Sequence, residues 1–529
     1  VKDTDGDGNP DYLDVMSNGL TFDISQTLYA HLDTNNDGII DGNTDSDGDG
    51  ILDAFDTNNS VFGSPRNLER KLFLSFDGRN DYATDDNIII NWENATLMAW
   101  ININNAFTSE GVVVGQNKFQ IKITNSKQVE VIGNGVSLIS SEILNTAQWI
   151  HVGTVYDGTN ETLKLFINGE IVNSTSVSGV ISSDTSLFTI GKNAISDTQF
   201  FKGKIDELRL FDIALSDSQF QKIVYQEIEE NSNQVRGAII PKDVPNLLWP
   251  NLIRYYRMDN YKDDVIDNHA TLIIDTTPGA KIFNVKTIAP QEAPMPFITE
   301  QTGDFATASH SISKQIRGLD VNDYDWSIIQ VNHNITSNSN HIDLGMFVNA
   351  SARIDVINDT KIQNDWYLKL DGIIDLQEYS QLLQTDDSDL DPASIGSIEK
   401  DQKGTGNLYN YNYWSSPVSS VVSSTENNTG FTVGNILRDG TNHASPQTIT
   451  WIAGVNGASS PMRLARYWLY KFTNLTSEYA NWQQITENTV LKSGQGYTMK
   501  GSGIVIPPSV LAQNYVFSGK PNNGLINNT

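Results

Sequence analysis

Within the first 56 residues, oxygen-bearing side chains recur at every second position around a glycine in three tracts: DTDGDGNPDYLD (3–14), DTNNDGIIDGNT (33–44) and DSDGDGILDAFD (45–56). A calcium loop takes oxygens from positions 1, 3, 5, 7 (a backbone carbonyl), 9 and 12 and needs glycine at 6 for its sharp turn. Asp3, Asp5, Asp7, Asn9, Asp11 and Asp14 keep that register around Gly8, as do Asp45, Asp47, Asp49, Ile51 (through its carbonyl), Asp53 and Asp56 around Gly50. The middle tract offers Asp33, Asn35, Asp37, Ile39 (carbonyl) and Asp41 around Gly38 but has Thr44 at position 12, which leaves Asp45 to serve two loops. These 56 residues hold fourteen aspartates, no glutamate and one lysine, thirteen of the chain's twenty-nine net negative charges. A solvated acidic linker is the bland alternative, but it has no reason to keep the register twice and nearly a third time. Without a divalent cation the segment repels itself, so Ca2+ binding and folding are expected to be one event.

No long amphipathic stretch follows either full ladder, which argues against a loop paired with helices. The tracts instead resemble thrombospondin type 3 repeats over residues 1–60, which implies a row of structural calcium ions. Those relatives often carry cysteines; this chain has none. That absence removes disulfides, thiolate metal sites and cysteine nucleophiles together. At 529 residues the chain has room for roughly three to four domains. Its net charge of −29 argues against nucleic acid and anionic membrane surfaces as partners. Apolar runs such as Ile88 to Ile90 are far too short for membrane insertion as a helix. The chain opens inside a ladder and stops after Asn528-Thr529, which reads as an excerpt of a larger polypeptide.

Helical periodicity is scarce and short alternating runs recur, so the expected class is mainly β: calcium-binding aspartate repeats, a jelly-roll β-sandwich, and a C-terminal β-solenoid/β-sandwich region. One helix is expected over Ser216 to Glu230, with Ser216 as N-cap and Phe220, Ile223, Val224 and Ile228 on one face. Residues 67–229 read as ten strands: 71–76, 95–103, 111–114, 119–124, 128–132, 149–156, 162–167, 170–173, 187–190 and 203–211. Asn168-Gly169 between two of them is the signature of a type I′ hairpin turn. Here LFLSFDGRNDYA (72–83), TLMAWI (96–101), WIHVGTVYDGTNETLKLFINGE (149–170) and GKIDELRLFDIALSDSQ (203–219) resemble the laminin-G-like, concanavalin A-like lectin fold. The resemblance implies a structural calcium nominated at Asp77 and Asp206; the plain alternative is a turn at Asp77 and a strand-edge role for Asp206. It also implies a ligand site in loops, with Trp100 and Trp149 in the core. Asp206 and Glu207 are adjacent in a strand and are expected to face opposite ways.

Residues 230–310, with Asn231-Ser232-Asn233-Gln234 and clustered prolines, read as linker or an abbreviated second lectin-like unit opening at NLIRYYRMDNYKDDVIDNHATL (251–272). Over 311–400 the short runs SIIQV, HIDL, ARIDV, YLKL, IIDL and QLLQ, punctuated by Asn and Asp, suit a parallel β-solenoid whose rungs fold only by stacking. The alternative is an ordinary sandwich with long loops. Residues 401–529, rich in aromatics and turn residues, read as a further β domain against those rungs. Residues 370–419 and 515–526 resemble the C-terminal parts of surface proteins of gliding flavobacteria, which implies export by the type IX secretion system.

No nucleophile elbow, HExxH, phosphate-binding glycine loop or dinucleotide fingerprint occurs. The chain is therefore read as a non-enzymatic, calcium-stabilised segment of a secreted or cell-surface adhesin that binds glycan or surface ligands. Two alternatives are a carbohydrate-binding accessory region of a secreted polysaccharide-degrading enzyme, and an export passenger region recognised by the secretion machinery.

Overall fold

The computed structural model describes residues 71–262, 264–271, 279–305, 325–421, 426–472, 481–503 and 512–526, together with Thr34, Thr44, Ser46, Asp53 and Ser60. The sandwich starts with β1 (Leu72–Asp77), β2 (Tyr82–Asp85), β3 (Asn94–Ile103), β4 (Gly111–Gln116), β5 (Phe119–Ile123) and β6 (Val129–Gly133). It continues with β7 (Val136–Ile139), β8 (Trp149–Asp157), β9 (Thr162–Ile167), β10 (Glu170–Ser176), β11 (Phe188–Ile190) and β12 (Lys202–Phe211). All ten expected strands are present; β2 and β7, four residues each, are additional. Asn168 and Gly169 take φ of 51° and 88°, the two positive values a type I′ turn requires.

After β12 come α1 (Asp217–Val224), a hairpin-built sheet of β13 (Ile228–Asn231), β14 (Gln234–Gly237) and β15 (Asp243–Leu248), and then β16 (Leu252–Tyr256), β17 (Tyr261–Lys262), β18 (Val265–Ile266), β19 (Ala280–Phe283) and β20 (Thr287–Pro290). Two expectations change here. The helix stops at Val224 because the following residues pair with β14, from Ile228 opposite Gly237 to Asn231 opposite Gln234. Ser232 and Asn233, at φ 50° and 71°, are the tight turn of that hairpin. The stretch read as linker or second unit instead completes the first sandwich. β16 pairs with β12 and β20 with β1, while β19 pairs with β2 and carries β18 and β17 outward.

Among the described residues the two sheets run β10-β9-β8-β3-β12-β1-β20, with β16 beside β12, and β17-β18-β19-β2-β11-β4-β5-β6-β7. Alternation along each strand then sorts side chains between two cores. In β3, Leu97, Ala99 and Ile101 enter the core between the sheets, whereas Met98 and Trp100 point to the other side of the first sheet. Phe73, Phe166 and Phe211 join them there. That outer face is not solvent. Phe220 of α1 stacks on Phe166 with centroids 4.1 Å apart, Trp100 Nε1 donates to Val224 O at 3.0 Å, and a side chain at Gly153 would strike the Phe220 ring.

The same core continues into a β-solenoid of about four turns. Ile335, Ile354, Ile374 and Ile398 stack in successive parallel strands on one face, and Ile329, Met346, Leu368 and Leu390 on another. The Asn and Asp punctuation seen in the sequence clamps the corners: Asn334, Asn340, Asp359 and Asp371 accept from the backbone N–H of Arg353, Lys361, Tyr379 and Ile395 in the next rung. Trp326 of the first rungs donates to Asn168 O in the sandwich hairpin at 2.8 Å. The last rung strand, Ser397–Thr405, is covered by antiparallel pairing with Ala512–Pro521, which removes an open sheet edge.

Candidate functional site

With the first sheet buried under α1 and the solenoid, the outward face of the nine-stranded sheet is the broad face the sandwich leaves to solvent. One row across it, set by strand register, reads Lys281, Thr84, Thr189, Gly115, Gln120, Ile132 and Ser137. Alternation puts Tyr82 on this side because its neighbour Ala83 is in the core. Register places Phe283 opposite Tyr82, and the two rings stack at 4.6 Å with a 13° interplanar angle. Phe200 leans on the pair at 6.3 Å, and Lys192 Nζ, paired with Asp197 at 2.6 Å, sits 4.2 Å over the Tyr82 ring.

Further across the same sheet, through β11 and β4 to β5, the residues are polar. Thr189 Oγ1 donates to Lys192 O at 2.9 Å. Gly115, at φ +141°, lies so close to β5 that a Cβ would come within 2.4 Å of Phe119 O. Gln120 is 6% exposed; its Nε2 donates to Asn117 O at 3.4 Å, while its Oε1 has no partner among the described residues. A buried acceptor without a donor costs about 1–3 kcal/mol, so this oxygen is suited to a water or a ligand hydroxyl. Lys122 lies between Glu130 at 2.9 Å and Glu110 at 3.6 Å. Flat ring faces next to amide, hydroxyl and carboxylate groups can take a ligand with one apolar face and hydroxyl edges.

The residues nominated from sequence lie elsewhere. Asp77 faces Lys202 in the β1–β12 register, four residues and roughly 13 Å along β12 from Asp206; the structure does not bring the two together. Asp77 Oδ1 accepts from the N–H of Arg79 at 2.8 Å, capping its own turn. Asp206 is fully buried, accepting from Glu207 N–H at 2.8 Å and Gln291 Nε2 at 3.0 Å. Burial, then the Glu207 charge, raises its carboxyl well above the ordinary range. Asp206 and Glu207 do not face opposite ways either. Glu207 has φ +50° in a bulge where β12 passes from pairing with β1 to pairing with β16, and both carboxyls enter one buried charged cluster. There Glu207 Oε2 accepts from Arg209 at 2.5 Å and Tyr255 at 2.6 Å. Burial, then Arg209, pushes neighbouring His151 well down, so it stays neutral. Trp100 and Trp149 are core residues, as expected.

Of the ladder residues, Asp3, Asp5, Asp7, Asn9, Asp11, Asp14, Asp33, Asn35, Asp37, Ile39, Asp41, Asp45, Asp47, Asp49, Ile51 and Asp56 lie outside the described residues. Asp53 is described: it accepts from Ser46 N–H at 2.9 Å, Ser46 Oγ at 2.7 Å and Thr44 Oγ1 at 2.8 Å. Those bonds, the Ser46 hydroxyl first, hold its carboxyl below the usual value. No cluster of three or more metal-ligating side chains occurs among the described residues, and no helix among them is long and apolar enough to cross a membrane.

Sequence reading missed Tyr82, Phe283, Phe200 and Gln120. They come from four separate strands and loops, and only the alternation of NDYAT hinted that Tyr82 faces outward.

Comparison with known proteins agrees with the sandwich. Residues 77–221 match the Laminin_G_3 family, described as the concanavalin A-like lectin/glucanases superfamily. Among solved structures, a candidate carbohydrate-binding protein from Bacteroides ovatus is similar at 20% identity and a TM-score of 0.33, over 43% of this chain and 62% of that one, less than two thirds of its length. A heptameric SAP-like pentraxin from Limulus polyphemus is similar at 15% identity, TM-score 0.26, over 29% and 82% of the two chains. Domain 4 of a GH43 extracellular arabinanase from Geobacillus stearothermophilus, solved with arabinotriose, is similar at 20% identity, TM-score 0.24, over 28% and 74%. No curated protein sequence matches.

Proposed function

We propose that this chain binds a glycan on the outward face of the nine-stranded sheet and does not turn it over, as a segment of a secreted or cell-surface adhesin. The observation that carries this reading is the stacked Tyr82–Phe283 pair on the outward face of the sheet, with the buried Gln120 Oε1, unpartnered among the described residues, three strands away on the same sheet. The site lies on strands rather than in loops. The aspartate ladders act in this reading as a calcium-set stalk, supported by their register and charge. Export by the type IX secretion system rests on the resemblance of residues 370–419 and 515–526.

The test is glycan-array screening followed by calorimetric titration of the best glycan against the intact chain and its Tyr82→Ala and Gln120→Ala variants. Each variant is expected to lose affinity about tenfold, ~1.4 kcal/mol. Glycan binding that neither variant weakens sinks this face as the site, and release of a reducing-end product sinks the non-enzymatic reading.

A further inference from the structure

A second surface, far along the chain from the sandwich, has the makings of an independent site. Strand Tyr411–Trp414 pairs with Tyr497–Lys500, which pairs with Tyr470–Phe472, which pairs with Trp482–Gln484. Register puts Tyr413, Thr498, Tyr470 and Gln484 in one row, with Phe472 opposite Trp482 in the next. Tyr497, Thr498 and Met499 of the central strand are all buried, but Tyr413, paired with Thr498, is 68% exposed, so the row with Tyr413 and Thr498 is the outward face.

That face encloses a depression of about 410 Å³. Tyr413, 68% exposed, stands on one side with its ring 6.5 Å from Trp482. Phe472 packs on Trp482 at 5.2 Å. Gly496 lines the depression between them, and a Cβ there would meet only Trp414 O, at 3.7 Å. The hollow therefore exists because residue 496 has no side chain. Tyr497, whose buried hydroxyl has no partner among the described residues, lines it as well.

The side chains around the hollow state the chemistry of an occupant. They are aromatic rings, the hydroxyls of Tyr413, Tyr497 and Thr498, and no Leu, Ile, Val or Met, which fits a ring with a C–H face and hydroxyl edges better than a peptide's apolar side chains. Lys500, on the same strand as Thr498, is engaged 3.5 Å over the Trp468 ring and 4.9 Å from Tyr411. A net charge of −29 disfavours a polyanionic chain. We propose that this C-terminal sheet is a second carbohydrate-binding site, taking a neutral oligosaccharide across the adjoining Tyr413 and Trp482 rings over Gly496. It makes the chain bivalent if the sandwich also binds, and it does not depend on the sandwich site.

The experiment uses the intact chain carrying Tyr82→Ala and Gln120→Ala together, so that the sandwich face is weakened, and titrates cello-, manno- and xylo-oligosaccharides by calorimetry and tryptophan fluorescence. At least one series is expected to bind and to change the fluorescence. Adding Gly496→Val, which fills the hollow at a position with room for a side chain, is expected to weaken that binding at least tenfold without lowering the unfolding midpoint. Trp482→Ala should abolish the fluorescence response. The proposal is overturned if no series binds or if Gly496→Val leaves binding unchanged. It is equally overturned if the chain self-associates through this face in a way that Gly496→Val abolishes.

Discussion

Arg257 carries three acids at once: Glu227 at 2.6 Å, Asp259 at 3.1 Å and Glu207 at 3.8 Å. One guanidinium cannot neutralise all three. Asp259, 2% exposed, shows the consequence, since burial outweighs Arg257 and lifts its carboxyl from 3.8 to about 7. A carboxyl whose folded value is raised binds a proton in the folded state that the unfolded chain has released. Its contribution is fully present below pH 3.8 and lost as pH rises through about 7, with a slope approaching ~1.4 kcal/mol per pH unit between those limits. Urea unfolding from pH 5 to pH 8 is therefore expected to show stability falling with pH, and Asp259→Asn to flatten that slope; an unchanged slope refutes the assignment. Close by, Arg209 is 1% exposed and donates to Ile223 O, Gln226 O and Glu207. Glu207→Ala removes its only carboxylate partner among the described residues, so a loss of roughly 3–5 kcal/mol is expected by denaturant titration. The carboxylates were legible as acidic letters in KIDEL, but the bulge that turns Glu207 inward was not. It arises where β12 changes neighbours from β1 to β16, residues some fifty positions downstream.

At the scale of elements, local signals were reliable where they needed no distant partner. The N-cap of α1 is one: Ser216 Oγ accepts from Gln219 N–H at 3.2 Å and Gln219 Oε1 from Ser216 N–H at 3.0 Å, a complete capping box. Ser216→Ala is expected to cost about 1 kcal/mol, measurable as a lower thermal midpoint. The C-terminus of the helix was misjudged because apolar Ile228 continues the helical pattern while its backbone is claimed by Gly237. In the solenoid, short runs and polar punctuation were visible, and their stacking explains why the spacing is irregular: strands stay in register while corners vary. Asn364 holds one such corner. It is fully buried, donating to Asp343 Oδ1 at 2.7 Å in the rung before and accepting from Ser388 Oγ at 2.6 Å in the rung after. Asn364→Ala deletes both links and is expected to destabilise the solenoid by about 2 kcal/mol, read by faster hydrogen exchange in its neighbouring rungs.

Across the whole molecule, one apolar core runs from the outer face of the first sandwich sheet through α1 into the solenoid and the C-terminal sheets. A fragment ending at residue 229 lacks β16, β19 and the Arg254–Asp85 ion pair at 2.5 Å, and it loses the Phe297 ring that packs 5.0 Å from Tyr225. It is expected to be insoluble or to unfold without a cooperative transition, and a soluble, cooperatively folding 67–229 fragment would contradict the shared core. Calcium belongs to this scale as well. Chelation is expected to make residues 1–60 sensitive to protease while the sandwich stays resistant; equal resistance with and without chelator ends the stalk proposal. By itself the sequence determined the mainly β class, the sandwich strands, the hairpin turn and the helix cap, because periodicity and turn chemistry act over neighbours in the chain, while it left the solenoid open beside an ordinary sandwich with long loops. Only the tertiary structure decided that residues 252–290 complete the sandwich, that Asp77 and Asp206 are apart, and which sheet face remains open. Those outcomes depend on register between strands far apart in sequence, and register is set by the packing of the whole core rather than by any one segment.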